Sequence, residues 1–326
     1  MATNRRYRQK RGAAPAGRSL LGWLPYWSNE LGARGCSPRT VDNQAKCLRL
    51  LAGHVGEEVD ARKVDDLALI SWRDELAARV KPSTVNRYLL TVGTFYNWLV
   101  GEGVLEESPL MYVPLLKVRD DDAPPILSGD TLAKLTKGAA SVRRGRSTFE
   151  AVRDVAILSM LADTGLRASE VAGLLVEHLN MDARQVYVHP DVAKGGRPRT
   201  VSFGFQTARA LNKYLLAREG HPFAFLPEMF LARKGAATYT VVHDLVRKAG
   251  ALEGVDGMRP HLLRHTWAHD MKAGGAELEV LMALGGWTTT SMPMRYGRAE
   301  RAERAHEAYG RMGSPVDKRA TKRKGR

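Results

Sequence analysis

The sequence predicts a mainly α-helical protein with one small β-sheet, arranged as two domains. Three observations carry this. Apolar residues recur at three- and four-residue spacing through most of the chain, the period of a helix that turns one face to a core. The stretch 184–203 alternates instead, as a half-buried strand pair does. Between two groups of helices lies "KVRDDDAPP" at 117–125, three acids and two prolines with little to bury, which is linker composition. At 326 residues the chain also exceeds the common size of one domain.

Taken in order, residues 1–18 carry Gly, Ala and Pro among arginines and lack an apolar period; they are expected to form a flexible basic tail. Residues 19–116 read as four short helices. The first follows Ser19 and carries Leu20, Leu21, Trp23, Leu24 and Trp27. The second starts at Ser37 and Pro38, a capping hydroxyl and a proline in the first turn, and continues through Val41, Leu48 and Leu51. The third opens at Asp65 and Asp66, with Leu67, Ile70, Trp72 and Leu76 on its apolar stripe. The fourth opens at Ser83 and carries Val85, Tyr88, Leu89, Val92, Phe95 and Leu99. Residues 117–126 are the expected linker, 127–312 the second domain and 313–326 a second basic tail. In the second domain Ser128 caps a helix, and Val152, Val155, Leu158 and Leu161 form a stripe that ends at a turn on Gly165. Val186 and Val188, then Val201 and Phe203, alternate around "AKGGRP", which reads as a β-hairpin with Lys194 at its tip. Helical texture returns over 240–249, 262–273, 277–284 and 298–309.

Composition excludes several classes of function. The 44% hydrophobic and 26% charged content is that of a globular protein in water, and no apolar run approaches the roughly 20 residues that span a bilayer. No membrane partner is expected, and without the apolar core of a secretory signal the cytoplasm is the expected location. Cys36 and Cys47 are too sparse for a disulfide framework or a zinc site and read as core or surface thiols. His54, His178, His189, His221, His243 and His306 have no partner at ligand spacing. His269, four residues after His265, lacks a third ligand, so no metal is expected. The net charge of +15 points to an anionic partner, nucleic acid first. Twelve of those charges sit in acid-free stretches at the two ends, and removing them leaves +3 for residues 19–317. Charge therefore establishes two basic tails, and the chemistry must be read elsewhere.

The informative segments are "TGLRASEVAGL" at 164–174, "AKGGRPRTV" at 193–201, "PHLLRHTWAHDM" at 260–271 and "LGGWTTTSMPMRYG" at 284–297. Singly, an arginine after a glycine turn is usually a surface charge and a tyrosine near the carboxyl end usually packing. Order and spacing say more. His261 and Arg264, three apart, share a helix face, and Tyr296 follows Trp287 by nine residues.

In these segments the sequence resembles the tyrosine recombinase family, the phage integrases with their chromosomal and plasmid relatives. That pattern is an Arg in a "TGLR" turn with an acid three positions on, a hairpin Lys, a His-x-x-Arg pair, a His or Trp after a Leu-Gly element, and a Tyr nine residues further. Here it falls on Arg167 with Glu170, Lys194, His261 with Arg264, Trp287 and Tyr296. The likeness extends to "SPRTV", "STVNRYLLTVGTFYNWLV" and "SPL" in the first domain and covers roughly residues 19–312. It implies a helical core-binding domain and an α+β catalytic domain that form a clamp on DNA, in a compact form without a full arm-binding domain.

The implied chemistry is phosphodiester cleavage without metal, ATP or other cofactor. Tyr296 is the nucleophile, and its phenol, with an ordinary pKa of about 10, needs help in losing its proton. Arg167 and Arg264 suit the two nonbridging oxygens, because a guanidinium offers a planar fork of donors and stays charged. Lys194 matches the acid for the leaving 5′ oxygen, with Arg197 and Arg199 as rivals for the phosphate. His261 takes the tyrosine proton or donates to a phosphate oxygen. Trp287 stands where the family most often has histidine; its N–H donates but cannot exchange a proton. Glu170 orients its neighbours, and His265 either hydrogen-bonds within the site or fills space. No glycine-lysine phosphate loop is present to bind ATP.

The implied partners are double-stranded DNA attachment sites, bound by a homotetramer on two sites, and in some members an accessory DNA-bending or directionality protein. The "RAERAHEAYGRM" segment reads as a helix exchanged between neighbours or packed on its own domain. The biological reading is an integrase of a phage or mobile element, with a Xer-like recombinase that resolves chromosome or plasmid dimers as the alternative. A noncutting DNA-binding protein on the same scaffold would show an eroded catalytic set, which this chain does not. A type IB topoisomerase would share the chemistry without needing two sites.

Overall fold

The computed structural model describes residues 18–118, 126–138, 148–193, 195–290 and 293–295. Residues 1–17 of the first expected tail, all of the second, most of the linker, Lys194, Tyr296 and the segment 298–309 lie outside the described residues. The chain divides into two compact units, 1–120 and 121–326. Among the described residues no helix is long and apolar enough to cross a membrane.

The first unit is built from α1 (Leu20–Ala33), α2 (Pro38–Val55), α3 (Asp66–Ala77) and α4 (Pro82–Gly101). Side chains of Ser19, Ser37 and Asp65 accept hydrogen bonds from the backbone N–H groups of Gly22, Thr40 and Ala68, closing three helix starts that would otherwise leave donors unpaired. The fourth helix departs from the sequence reading: it begins at Pro82 after Lys81, without a side-chain cap. The fixed φ of proline already suits the first turn. Leu67 is also not on the core stripe and is 70% exposed; the buried spacing is Leu69, Trp72 and Leu76. The core is aromatic, with Trp23 edge-on to Trp98 at 5.9 Å and Trp27 edge-on to Phe95 at 6.0 Å, a favoured arrangement for ring quadrupoles. Cys47 lies in it, its thiol pushed up to about 12 by burial against a smaller opposing pull from Arg87. Asn86 holds the end of the unit, donating to the Leu116 carbonyl and accepting from the Leu116 N–H, both at 2.8 Å.

The second unit contains α5 (Gly129–Gly138), α6 (Thr148–Thr164), α7 (Ala168–Ala172), α8 (Phe205–Glu219), α9 (Tyr239–Leu252), α10 (Pro260–Ala273) and α11 (Leu278–Gly285). Its antiparallel sheet runs β1 (Leu179–Asn180), β2 (Gln185–Val188), β3 (Arg199–Ser202), and a short pair β4 (Leu231–Ala232) and β5 (Gly235–Ala236) lies apart from it. The mainly helical class with small sheets is the one the periodicities imply. The sequence reading passed over α8 and the β4–β5 pair. In β2 and β3 Val186 faces Val201 and Val188 faces Arg199. Side chains alternate across a strand, so Arg199 shares the inner face with three buried valines, whereas Arg197 in the connecting loop is exposed.

Candidate active site

The "TGLR" turn follows from how α6 ends. Thr164 folds its hydroxyl back to donate to the Met160 carbonyl at 2.6 Å and accepts from the Leu166 N–H at 3.3 Å. Gly165 then adopts φ +61°, a left-handed conformation that side chains disfavour. The Trp267 ring lies where a Cβ on Gly165 would be. The turn leaves the Gly165 carbonyl facing α10 and delivers Arg167, half-buried, to the start of α7.

Helix α10 places His261, exposed, on its first turn and Arg264 one turn on, only 1% exposed. The Arg264 guanidinium donates to the Gly165 carbonyl at 2.6 Å and to the Gly285 carbonyl at 2.5 Å, and lies 4.3 Å from the centre of the Trp287 ring, close enough for a cation–π contact. Trp287 also packs on Trp267, ring centres 6.1 Å apart. The His261 and His265 rings meet edge-on at 4.2 Å. His265 is pushed down to about 4, by burial first and then by the neighbouring His261 and Arg264, so at neutral pH it is an uncharged ring.

The end of α11 explains why two arginines converge there. Gly286 takes φ +63°, which lets the Trp287 N–H reach the Met282 carbonyl at 3.0 Å and the Gly286 N–H reach that of Ala283 at 3.3 Å, the paired bonds of a Schellman ending. Two further terminal carbonyls need donors. Arg264 serves Gly285, and Arg199 serves Leu284 through Nε at 2.8 Å. Both cations sit at the negative end of the helix dipole.

Arg199 has a second bond system. Its Nη1 and Nη2 donate to Oε1 and Oε2 of Glu170 at 3.1 and 2.7 Å. Arg167 donates to the same carboxylate, Nη1 to Oε1 at 2.8 Å and backbone N–H to Oε2 at 2.8 Å. Glu170 is fully buried. Burial, the largest influence, pushes its carboxyl up, but the bonds and charges of Arg199, then Arg167, outweigh it and hold the group below its ordinary value.

Hydrogen bonds thus join Arg167 with Glu170, the Arg264 guanidinium lies on Trp287, and His261 touches His265. Lys194 and Tyr296 lie outside the described residues. Arg199, which the sequence sets beside Arg197 as a rival of Lys194 for phosphate, is turned inward, its Nε bonded to Leu284 and its two terminal nitrogens to Glu170. Strand parity held the signal for it. If Val201 and Phe203 face inward, so does Arg199, and an inward arginine requires a buried acceptor.

Residues 129–303, more than half the chain, match the phage integrase family, a class of enzymes that break and rejoin DNA. The chain belongs to that family, the tyrosine recombinases. It is 29% identical over 285 residues to the tyrosine recombinase XerC of Pelobacter propionicus, covering 85% of this chain and 89% of the relative. It is 30% identical to XerC of Mycobacterium sp. (strain JLS), over 81% of this chain and 89% of the relative. Tyrosine recombinase XerD of Mycobacterium leprae is 27% identical, over 85% and 91%. Two solved structures share the fold: the Tn1549 transposon integrase in complex with transposon right end DNA (TM-score 0.71, 17% identity, 91% of this chain and 100% of that one), and the XerH site-specific recombinase bound to a palindromic difH substrate in a post-cleavage complex (0.70, 15%, 89% and 84%).

Proposed function

We propose that this chain is a site-specific DNA recombinase that cuts and rejoins duplex DNA through a 3′-phosphotyrosine on Tyr296. The observation that carries the reading is the direct linkage of separate motif segments, Arg264 bonding both the Arg167 turn and the helix end that leads to Trp287. Such fixed donors stabilise charge that builds on a phosphate without having to reorganise. Tyr296 Oη gives up its proton to His261 or to solvent and attacks the scissile phosphorus, the bond to the 5′ oxygen breaks, and Lys194 gives that oxygen a proton. Arg167 and Arg264 hold the nonbridging oxygens, with His261 and the Trp287 N–H as further donors. The phosphotyrosine conserves the bond, so a 5′ hydroxyl from the partner strand reverses the step without ATP. Four strand breaks call for a homotetramer on two DNA sites.

The finer reading is an integrase of a phage or mobile element, supported by the arginine-rich ends and by tryptophan in place of the family's usual histidine. The second reading, a Xer-like recombinase that resolves chromosome or plasmid dimers, is kept because curated relatives carry the names XerC and XerD. The test uses duplex DNA nicked beside the cleavage point, drawn from the ends of the surrounding element and from the host chromosome. Wild type is expected to form a denaturant-stable protein–DNA adduct and Tyr296→Phe none, with DNA binding retained. An adduct with Tyr296→Phe, or specific binding without an adduct in wild type, overturns the reading. Trapping on element ends supports the integrase, and trapping on a single chromosomal locus supports the resolvase.

A further inference from the structure

We infer that Arg199 is a positioning residue: by occupying both oxygens of Glu170 it keeps Arg167 from closing a two-bond ion pair with that carboxylate, and so leaves Arg167 turned toward the DNA phosphate. The inference rests on the proposed role of Arg167 as a phosphate ligand.

The geometry around Glu170 is that of a saturated acceptor. The carboxylate takes four bonds, two from Arg167 and two from Arg199, and its two oxygens offer about four lone-pair sites. The division is unequal. Arg199 presents its guanidinium as a fork, one nitrogen to each oxygen, whereas among the described residues Arg167 reaches the carboxylate with one side-chain nitrogen and its backbone N–H. A forked guanidinium–carboxylate pair is the strongest arrangement open to either arginine, and Arg199 holds it. Arg199 is placed to do so by strand register, facing inward opposite Val188, and by its Nε bond to the Leu284 carbonyl. Its side chain is 9% exposed and that of Arg167 is 23% exposed, so the inner arginine neutralises the buried charge and the outer one keeps an accessible edge.

Without Arg199, the buried Glu170 charge has Arg167 as its nearest cation, and the same preference draws Arg167 into the fork. The phosphate then loses its ligand while the protein keeps its fold. A neutral amide at position 170 would not exert that pull. This separates a positioning role from a merely structural one.

The experiment measures the single-turnover rate of adduct formation on the nicked duplex, DNA affinity and melting temperature for wild type, Arg199→Gln, Arg199→Lys and the double variant Arg199→Gln with Glu170→Gln. Arg199→Gln is expected to form adduct roughly 10- to 100-fold more slowly at saturating DNA, less than the about 10²–10³-fold for losing a preorganised donor outright because Arg167 is displaced rather than removed, with little change in affinity. The double variant is expected to recover most of that loss. Arg199→Lys keeps the charge and much of the packing, which protects folding, but a single ammonium does not fork, so it too should be slow. Wild-type rates in Arg199→Lys, or a double variant no faster than Arg199→Gln, overturn the inference while the adduct in wild type leaves the recombinase reading standing. Absence of adduct in wild type removes that reading, and the inference with it.

Discussion

Replacing Gly165 by alanine is expected to destabilise the second unit by roughly 2–4 kcal/mol. The backbone there has φ +61°, a conformation that costs a side-chain-bearing residue about 1–2 kcal/mol. The new Cβ would also fall within the Trp267 indole. That ring is buried, and forcing extra carbon into a filled core costs about 1–3 kcal/mol. The stiffer unfolded chain offsets about 0.5 kcal/mol of this. For a unit of this size each kcal/mol moves the melting point by roughly 2–4 °C, so calorimetry should show the second unit melting roughly 5–15 °C lower. The two causes separate in a double-mutant cycle. Trp267→Leu makes room without changing φ, so in that background Gly165→Ala should cost about 1–2 kcal/mol less. A melting point within about 1 °C of wild type, or an equal cost in both backgrounds, would refute the packing account of this turn.

Two further outcomes follow from the site. His265 binds its proton near 6.5 in an unfolded chain but only near 4 in the fold; between those values the unfolded state holds more protons, so stability falls as pH drops through that window. Urea midpoints of His265→Gln should fall less steeply there than those of wild type, and parallel curves would count against the buried neutral ring. Glu170, whose folded value is held below 4.5, begins to lose its own contribution as pH falls through 4.5, but it does so in both proteins and cancels in the comparison. Trp287→Phe keeps a ring under Arg264 but has no N–H. If that N–H donates to the phosphate, adduct formation should slow by about 10²–10³ with melting little changed; an unchanged rate would assign Trp287 to packing alone.

Helical periodicity was legible because the first unit buries one clear stripe per helix, and Ser19, Ser37 and Asp65 are caps that the chain displays openly. Lys81 is not such a residue, which is why the start of α4 was read one position late. Helix α8 went unread although it buries Leu211 and Tyr214, since Gly204 gives no side-chain capping signal and basic residues interrupt its stripe. In the site, Arg167, Glu170, His261, Arg264 and Trp287 stood out by motif. The partners that organise them did not, because backbone carbonyls such as those of Gly165, Leu284 and Gly285 carry no mark in a sequence. Arg199 was visible as a basic residue near Lys194, but its direction follows from strand register rather than from its neighbours in the chain.

The two arginines that close the end of α11 also set when the site comes into being. The bond from Arg264 to Gly165 spans 99 residues and that from Arg199 to Leu284 spans 85, so the centre is assembled from distant parts of the chain, and loops of that length close late relative to local helices. During synthesis the "TGLR" turn and the hairpin leave the ribosome well before the Leu284 and Gly285 carbonyls on which Arg199 and Arg264 close. A nascent chain halted short of α11 carries the leading arginine without the frame that aims it. The centre therefore takes shape only once α11 has joined the fold.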